Sequence, residues 1–158
     1  MIYIFLDIDG VITTPKQWDE PKNGEMPYPF DIDCVNGLIE IASNLAIDAK
    51  WVLSSDWRLS YSLEEIHSFF RHYGIPIEFS DTCKKSLTIR GELISEYIER
   101  NVLQDDTVII IDDIRLTKYV KRKRKGAIFI TDENVGLADK KIVENIIKRI
   151  KKHYERKP

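Results

Sequence analysis

Two acidic residues follow the first apolar segment of this sequence. Asp7 and Asp9 come directly after the apolar residues 2–6, with Ile8 between them and Gly10 behind. Along an extended backbone alternate side chains share a side, so both carboxylates point one way while Ile8 faces the interior. Carboxylates this close repel unless a cation or a proton separates them. Gly10 lets the chain turn sharply after the pair.

A second acidic pair repeats the arrangement later in the chain. Asp112 and Asp113 end the apolar run 107–111. Burying two such pairs is costly without a metal ion, and a hard divalent cation such as Mg²⁺ binds carboxylate oxygens. Either pair by itself also fits an acidic surface turn. Taken together, the pairs predict a magnesium site.

A hydroxyl-rich segment follows another apolar run. Ser54 and Ser55 come where residues 50–54 open into a loop, and Arg58 lies just beyond. A hydroxyl at a strand end can hold a phosphate oxygen together with backbone N–H groups. The alternative is that both serines are turn residues and that Arg58 is a surface cation.

Strand and helix patterns alternate along the chain, which favours an α/β fold with a parallel sheet. We expect strands at residues 2–6, 50–54, 75–79, 107–111 and 127–131, and helices at 33–45, 62–73, 90–102 and 138–152. This rhythm fits one domain over 1–158, a Rossmann-like three-layer αβα sandwich with a five-stranded, mainly parallel sheet. The proline-rich residues 13–30 should form an irregular loop, and the basic residues 151–158 a frayed tail. Sites in such folds lie beyond the carboxyl ends of the strands.

The composition fits a soluble intracellular protein. Of 158 residues 43% are hydrophobic, the formal net charge is -2, and the first apolar run is too short for a signal peptide or a membrane span. Cys34 and Cys83 are far apart and show no metal-ligand spacing. We therefore expect a reduced, cytoplasmic setting rather than a disulfide framework.

As a set, these segments resemble the haloacid dehalogenase (HAD) superfamily of phosphohydrolases. The motifs that carry the resemblance are DIDGV at 7–11, Ser54 and the acids 112–113, in the family's order. Within the superfamily the chain resembles the small capless HAD domains associated with RNA repair proteins. The matching stretches there are SSDWR at 54–58, RGELI at 90–94 and VGL at 135–137.

The resemblance implies roles for the acidic residues and for Ser54. Asp7 would attack phosphorus and form an aspartyl-phosphate, and Asp9 would act as general acid and then general base. Ser54 would donate a hydrogen bond to a phosphoryl oxygen. Mg²⁺ would be held by Asp7, the backbone carbonyl of Asp9, and Asp112, with Asp113 as a second, indirect partner.

The family's third motif is a cation that faces the nucleophile, and three residues compete for it. We choose Arg90, which opens the helix before the fourth strand, over Lys84 and Lys85. The predicted substrate-binding residues are Gly10, Ser55, Arg58 and Lys85. His67, His72 and His153 are predicted to lie on helix surfaces without a catalytic role.

The absence of room for a large cap domain favours a large substrate, such as a nucleic-acid end, because the substrate itself must then exclude water. A basic run after the fourth strand (residues 118–125) suits phosphate backbones, although a solvated helix face explains it equally well. The terminal basic run (148–157) is better explained as such a face. Trp18, Tyr28, Phe30 and Trp57 are candidates for stacking on a base or for ordinary packing.

Two other classes of protein remain compatible with the sequence. Acids at strand ends also build the two-metal sites of nucleases. A non-catalytic domain could keep the fold and bind nucleic acid through 118–125. The Asp7-x-Asp9 spacing with a single strand-end hydroxyl favours the phosphatase, and a pure binding module needs no adjacent acids.

Overall fold

A five-stranded sheet forms the centre of the chain. The computed structural model describes residues 1–18, 30–46, 49–116 and 126–156. The strands are β1 Ile2–Leu6, β2 Ala49–Leu53, β3 Phe79–Thr82, β4 Thr107–Asp112 and β5 Gly126–Ile130. Their order is β3-β2-β1-β4-β5, and every neighbouring pair is parallel. The predicted α/β fold with a parallel sheet is confirmed.

Helices cover both faces of this sheet. They are α1 Pro15–Trp18, α2 Ile32–Ser43, α3 Trp57–Ser60, α4 Leu63–His72, α5 Arg90–Asn101 and α6 Lys140–Tyr154, with a 3-10 turn at Gly136–Ala138. The Asp31 carboxylate caps α2 by accepting a hydrogen bond from the Asp33 N–H. Ser62 and Glu65 form a capping box at the start of α4. Among the described residues, no helix is both long and apolar enough to span a bilayer.

Strand β1 is the centre of the molecule, and its five residues are all buried. Its side chains alternate between two hydrophobic clusters, as the pleat of a strand requires. Ile2, Ile4 and Leu6 join the cluster that contains α2, α4 and α6 side chains, while Tyr3 and Phe5 join the α5 cluster. The three-layer sandwich therefore has one apolar layer on each side of the sheet.

The third strand lies later in the chain than its sequence pattern indicates. The sequence predicts a strand at residues 75–79, but β3 is Phe79–Thr82. Ile75 and Ile77 are buried in the core, which explains their apolar character, yet Pro76 between them lacks the N–H that a ladder needs. The Ile75 N–H instead donates to the carbonyl of Phe70 at the end of α4.

Residues 151–154 of the predicted frayed tail belong to a helix. Helix α6 continues to Tyr154, and His153 is 8% exposed. Its Nδ1 lies 2.8 Å from the hydroxyl of Thr107 at the start of β4, so the prediction of a surface position for His153 is wrong. At the other end of the chain, the predicted loop 13–30 contains α1, and its residues 19–29 lie outside the described part.

Close backbone contacts hold the turn after β1 against α2. Gly136 has a φ of +55°, and a Cβ there would lie 2.4 Å from the Val11 carbonyl oxygen. A Cβ on Gly37 in α2 would lie 2.2 Å from the carbonyl oxygen of Leu137. The Leu137 N–H donates to the same Val11 carbonyl at 2.9 Å. These contacts fix the segment that follows Asp9.

We predict that Gly37→Ala lowers the free energy of unfolding by about 1–3 kcal/mol, because the methyl group meets a backbone carbonyl that cannot move aside. In an ordinary helix interior the same change would stabilise by up to about 1 kcal/mol. Urea denaturation followed by circular dichroism measures the difference. Gly74→Ala is the comparison variant. A Cβ at Gly74 would meet no atom within 4 Å, so any loss of stability there comes from the positive φ of Gly74 and not from packing. A stabilised Gly37→Ala would contradict the packing.

Candidate active site

The carboxyl ends of three neighbouring strands bring the sequence-predicted polar residues together. Asp7, Ser54 and Asp112 lie at the ends of β1, β2 and β4, and each is almost completely buried. The ladder continues into this edge, because the Asp7 N–H donates to Ile111 and the Ser54 N–H donates to Leu6, both at 3.0 Å. Parallel pairing in register therefore puts the three side chains on one rim of the sheet.

The acids form a compact cluster. Asp7, Asp112 and Asp113 each offer a carboxylate oxygen, and these oxygens lie within 4.8 Å of one another. Burial, and next the charge of Asp112, raises the pKa of Asp7. Asp7 Oδ1 has no hydrogen-bond partner among the described residues. Converging hard oxygen donors with an unsatisfied buried atom fit a divalent cation such as Mg²⁺.

Arg90 is the cation that meets this cluster. Its Nη1 lies 2.5 Å from Asp7 Oδ2 and 3.1 Å from both Asp112 oxygens. Burial by itself would lower the pKa of Arg90, but attraction to Asp7 and Asp112 outweighs it and raises the pKa. Arg90 therefore stays charged and offsets part of the repulsion between the acids.

The competing lysines lie elsewhere. Lys84 and Lys85 are exposed, and neither forms an ion pair with an acid in the described part of the chain. Hydrogen bonds from Ser62, and to a smaller extent the charge of Lys85, lower the pKa of Glu65 on α4. The structure thus brings Arg90 to the nucleophile candidate and leaves Lys85, a predicted substrate ligand, outside the cluster.

Asp9 is held by two neutral donors. The Thr13 hydroxyl donates to Oδ1 and the Trp57 indole N–H donates to Oδ2, each at 3.0 Å. Trp57 is itself packed against the rings of Phe30, Tyr61 and Phe69. The Asp9 carboxylate is therefore oriented, and it stands apart from the three-acid cluster. Metal binding by Asp9 through its backbone carbonyl stays a prediction.

Ser54 is the second unsatisfied group at the site. Its hydroxyl is buried and has no hydrogen-bond partner among the described residues, and the same is true of Arg90 Nε. With Asp7 Oδ1 these make three unsatisfied polar atoms in one place. Buried polar atoms are normally paired, so a polar ligand that reaches this rim would complete the arrangement.

Ser55 and Gly10 are placed to shape loops. The Ser55 hydroxyl accepts a hydrogen bond from the Trp57 N–H at 3.3 Å, an orientation that points it along its own loop. Gly10 adopts a φ of +71°, and a Cβ there would lie 2.5 Å from an oxygen of Asp113. Its N–H donates to the Thr13 carbonyl and its carbonyl accepts from the Thr131 hydroxyl at 2.7 Å. Both predicted substrate ligands thus have structural partners.

Arg58 has a different role from the predicted phosphate ligand. It is 1% exposed, and its guanidinium faces protein acceptors on two loops. The acceptors are the carbonyls of Ser54, Ser55, Lys84 and Ser86 and the carboxylate of Asp56. Planar Arg donors in a fixed fork suit such backbone bracing. Arg58 therefore ties the loop after β2 to the loop before α5.

Sequence reasoning missed Thr13 and Asp56, and it named Trp57 only as a stacking or packing residue. Thr13 and Trp57 hold Asp9, and Asp56 pairs with Arg58 at 2.7 Å and with Arg90 at 3.5 Å. Burial would raise the pKa of Asp56, but the hydrogen bond from Arg58 and the charge of Arg90 lower it. The signal in the sequence was proximity to predicted site residues. Asp56 and Trp57 come shortly after Ser54, and Thr13 comes four residues after Asp9.

The predicted nucleic-acid contacts are largely outside the described residues. The basic run 118–125 lies there entirely, as do Tyr28 and the side chain of Trp18. Phe30 and Trp57 are buried, so both pack in the core rather than offer a stacking surface. On α6, Lys148, Lys151 and Lys152 share a shallow groove with Glu40, Glu144 and Glu155, which makes that face mixed in charge.

The parallel sheet, the acids at its rim and the facing cation are consistent with a HAD-type domain. Over residues 3–142 the chain matches the family described as the HAD domain in Swiss Army Knife RNA repair proteins, and it belongs to that family. The resemblance seen in the motifs is thereby confirmed. No curated protein and no solved structure matches the chain.

We predict that Arg58→Lys lowers the free energy of unfolding by about 2 kcal/mol or more, because a lysine leaves several buried carbonyls without a donor. Chemical denaturation measures the change. Arg71→Lys is the matched control: Arg71 is 56% exposed in its pair with Glu64, and its substitution should cost less than about 0.5 kcal/mol. Unchanged stability of Arg58→Lys together with lost phosphate binding would restore Arg58 as a ligand.

Proposed function

We propose that this domain is a magnesium-dependent phosphatase that hydrolyses phosphate monoesters on nucleic-acid ends through an aspartyl-phosphate at Asp7. Membership of the HAD family supports phosphohydrolase chemistry in general. The observation that carries the proposal is the nucleophile itself. Asp7 Oδ2 is engaged by Arg90, while the buried Oδ1 has no partner in the described residues and can form a new bond.

The proposed reaction has two steps. An Asp7 oxygen attacks phosphorus as the bond between phosphorus and the ester oxygen breaks, and the carboxyl group of Asp9 donates a proton to the leaving ester oxygen. Asp9 then takes a proton from water, which attacks the aspartyl-phosphate and releases phosphate and free Asp7. Thr13 and Trp57 hold the Asp9 carboxylate for both transfers. Ser54 and Arg90 supply donors for the phosphoryl oxygens and for Asp7.

The proposed magnesium ligands are Asp7, Asp112 and Asp113, together with the backbone carbonyl of Asp9. The clustering of the three carboxylates supports this assignment. When bound, the ion would neutralise negative charge on the phosphoryl group. Arg90 alone balances one of the three clustered charges, so a divalent cation would bring the cluster to neutrality.

Three observations support a nucleic-acid end as the substrate. The family is described by its occurrence in RNA repair proteins. Between β2 and α5 the chain forms α3, α4 and β3, which are too small to close over a substrate as a cap domain does. The basic run 118–125 also follows the acids 112–113 closely in sequence, where its charge can attract a phosphate backbone.

We predict that the wild-type chain releases phosphate from oligonucleotides with a 3′- or 5′-terminal phosphate, and that Asp7→Asn abolishes release, because the amide is not a nucleophile. Phosphate release and product length are measured together. EDTA should stop turnover and added Mg²⁺ should restore it. Shortened oligonucleotides would indicate a nuclease instead. Absence of release from every phosphorylated substrate, including an aryl phosphate, would leave a non-catalytic binding domain.

We predict that Trp57→Phe lowers kcat by about tenfold, the rate equivalent of one lost hydrogen bond, with KM little changed. The phenyl ring keeps the packing against Phe30 and Tyr61 but cannot donate to Asp9. Steady-state kinetics measure both constants. Trp51→Phe, the same change at a buried tryptophan of β2, is the control and should keep kcat. Equal losses in the two variants would show that ring packing matters and the indole N–H does not.

A further inference from the structure

A cavity of about 240 Å³ opens beside Arg90. Three segments line it: Asp56 before α3 with Leu59 in α3, the loop 86–89, and Ile114 after β4. Arg90 forms part of its wall and also contacts Asp7. The cavity therefore adjoins the proposed reaction centre at Arg90.

Exposed aliphatic side chains are concentrated around this cavity. Nine large hydrophobic side chains are well exposed in the described part of the chain, and four of them line this cavity. They are Leu59 at 40%, Leu87 at 92%, Ile89 at 50% and Ile114 at 49% exposed. Scattered exposed aliphatic residues need no explanation, but a cluster beside a polar site indicates a binding surface.

The polar groups of the cavity restrict the ligand further. Ser86 and Thr88 place their hydroxyls 2.7 Å apart in the lining loop, and each hydroxyl can donate as well as accept. The two charged groups in the wall, Asp56 and Arg90, pair with each other. Because Arg90 also pairs with Asp7 and Asp112, this wall has no spare positive charge, which does not suit a second phosphate. A neutral ligand with apolar faces and hydrogen-bonding edges fits.

We propose that this cavity binds the base of the nucleotide that carries the scissile phosphate; this inference rests on the proposed function. Leu59, Leu87 and Ile114 pack against the faces of the base, and the hydroxyls of Ser86 and Thr88 serve its edge. A phenol ring, as in a phosphotyrosine, offers the same faces but no ring nitrogens or carbonyls for the hydroxyls. The base therefore uses more of the cavity.

The test measures equilibrium binding in the Asp7→Asn background, so that it needs no turnover. The probes are short fluorescent oligonucleotides with a terminal phosphate, at either end, carrying a base or an abasic sugar at the phosphorylated residue. We expect the base to improve affinity about tenfold, as one stacked base typically does. Leu87→Ser combined with Ile114→Ser should bring the ratio of the two affinities close to one.

Leu103→Ser is the matched control, because Leu103 is also exposed, at 74%, and lies after the C-terminal end of α5, whereas the cavity adjoins its start. It should leave the ratio unchanged. Equal affinity for base-bearing and abasic probes in the Asp7→Asn parent overturns the proposal. The proposal is also overturned if the substitutions at Leu87 and Ile114 leave the ratio of the two affinities unchanged. Tighter binding of a phosphotyrosine peptide than of the base-bearing probe would overturn it as well.

This result is separable from the test of the phosphatase. A base preference without phosphate release from wild type would keep the base site and remove the proposed reaction. Phosphate release that depends on Asp7, without a base preference, would keep the reaction and remove the base site. Because Leu87 is 92% exposed, its substitution tests binding without disturbing the core.

Discussion

Three carboxylates share a small volume at the rim of the sheet, and Arg90 is the cation seen against them in the described structure. Taking such groups out of water is costly unless their charges are balanced. Much of the surrounding structure serves that balance. Helix α5 starts at Arg90, so its position against the sheet determines where the guanidinium lies. Asp56 then takes a place on the outer side of the same guanidinium.

Three consecutive residues connect this charge cluster to the rest of the site. Asp56 pairs with Arg90, Trp57 donates to Asp9, and Arg58 braces the loops on either side of the cavity. Each uses a different property: charge, an indole N–H within an aromatic cluster, and a planar set of donors. Because they are adjacent in one short segment, a shift of that segment would disturb Arg90, Asp9 and the loop before α5 together.

The sequence was most informative where burial and chemistry coincide in one short segment. Apolar runs ending in acids predicted β1, β4 and their rim, and the position of Arg90 at a helix start favoured it over Lys84 and Lys85. Patterns failed where the partner is distant. The apolar character of Ile75 and Ile77 indicates burial, but it does not indicate that Pro76 keeps them out of the strand ladder. The sequence shows that Arg58 is charged, but not that backbone carbonyls from two loops surround it. No local pattern connects Trp57 with Asp9.

The two hydrogen bonds to Asp9 reduce the rearrangement that the site needs when a substrate binds. Enzymes that assemble their acid–base group by closing a lid add a conformational step to each cycle, and that step often limits the rate. Here the carboxylate is already oriented by a hydroxyl from the same turn and an indole set in the core. Little reorganisation remains when a substrate arrives. In the proposed phosphatase, the slow event of the cycle would then be the arrival or departure of the nucleic-acid end.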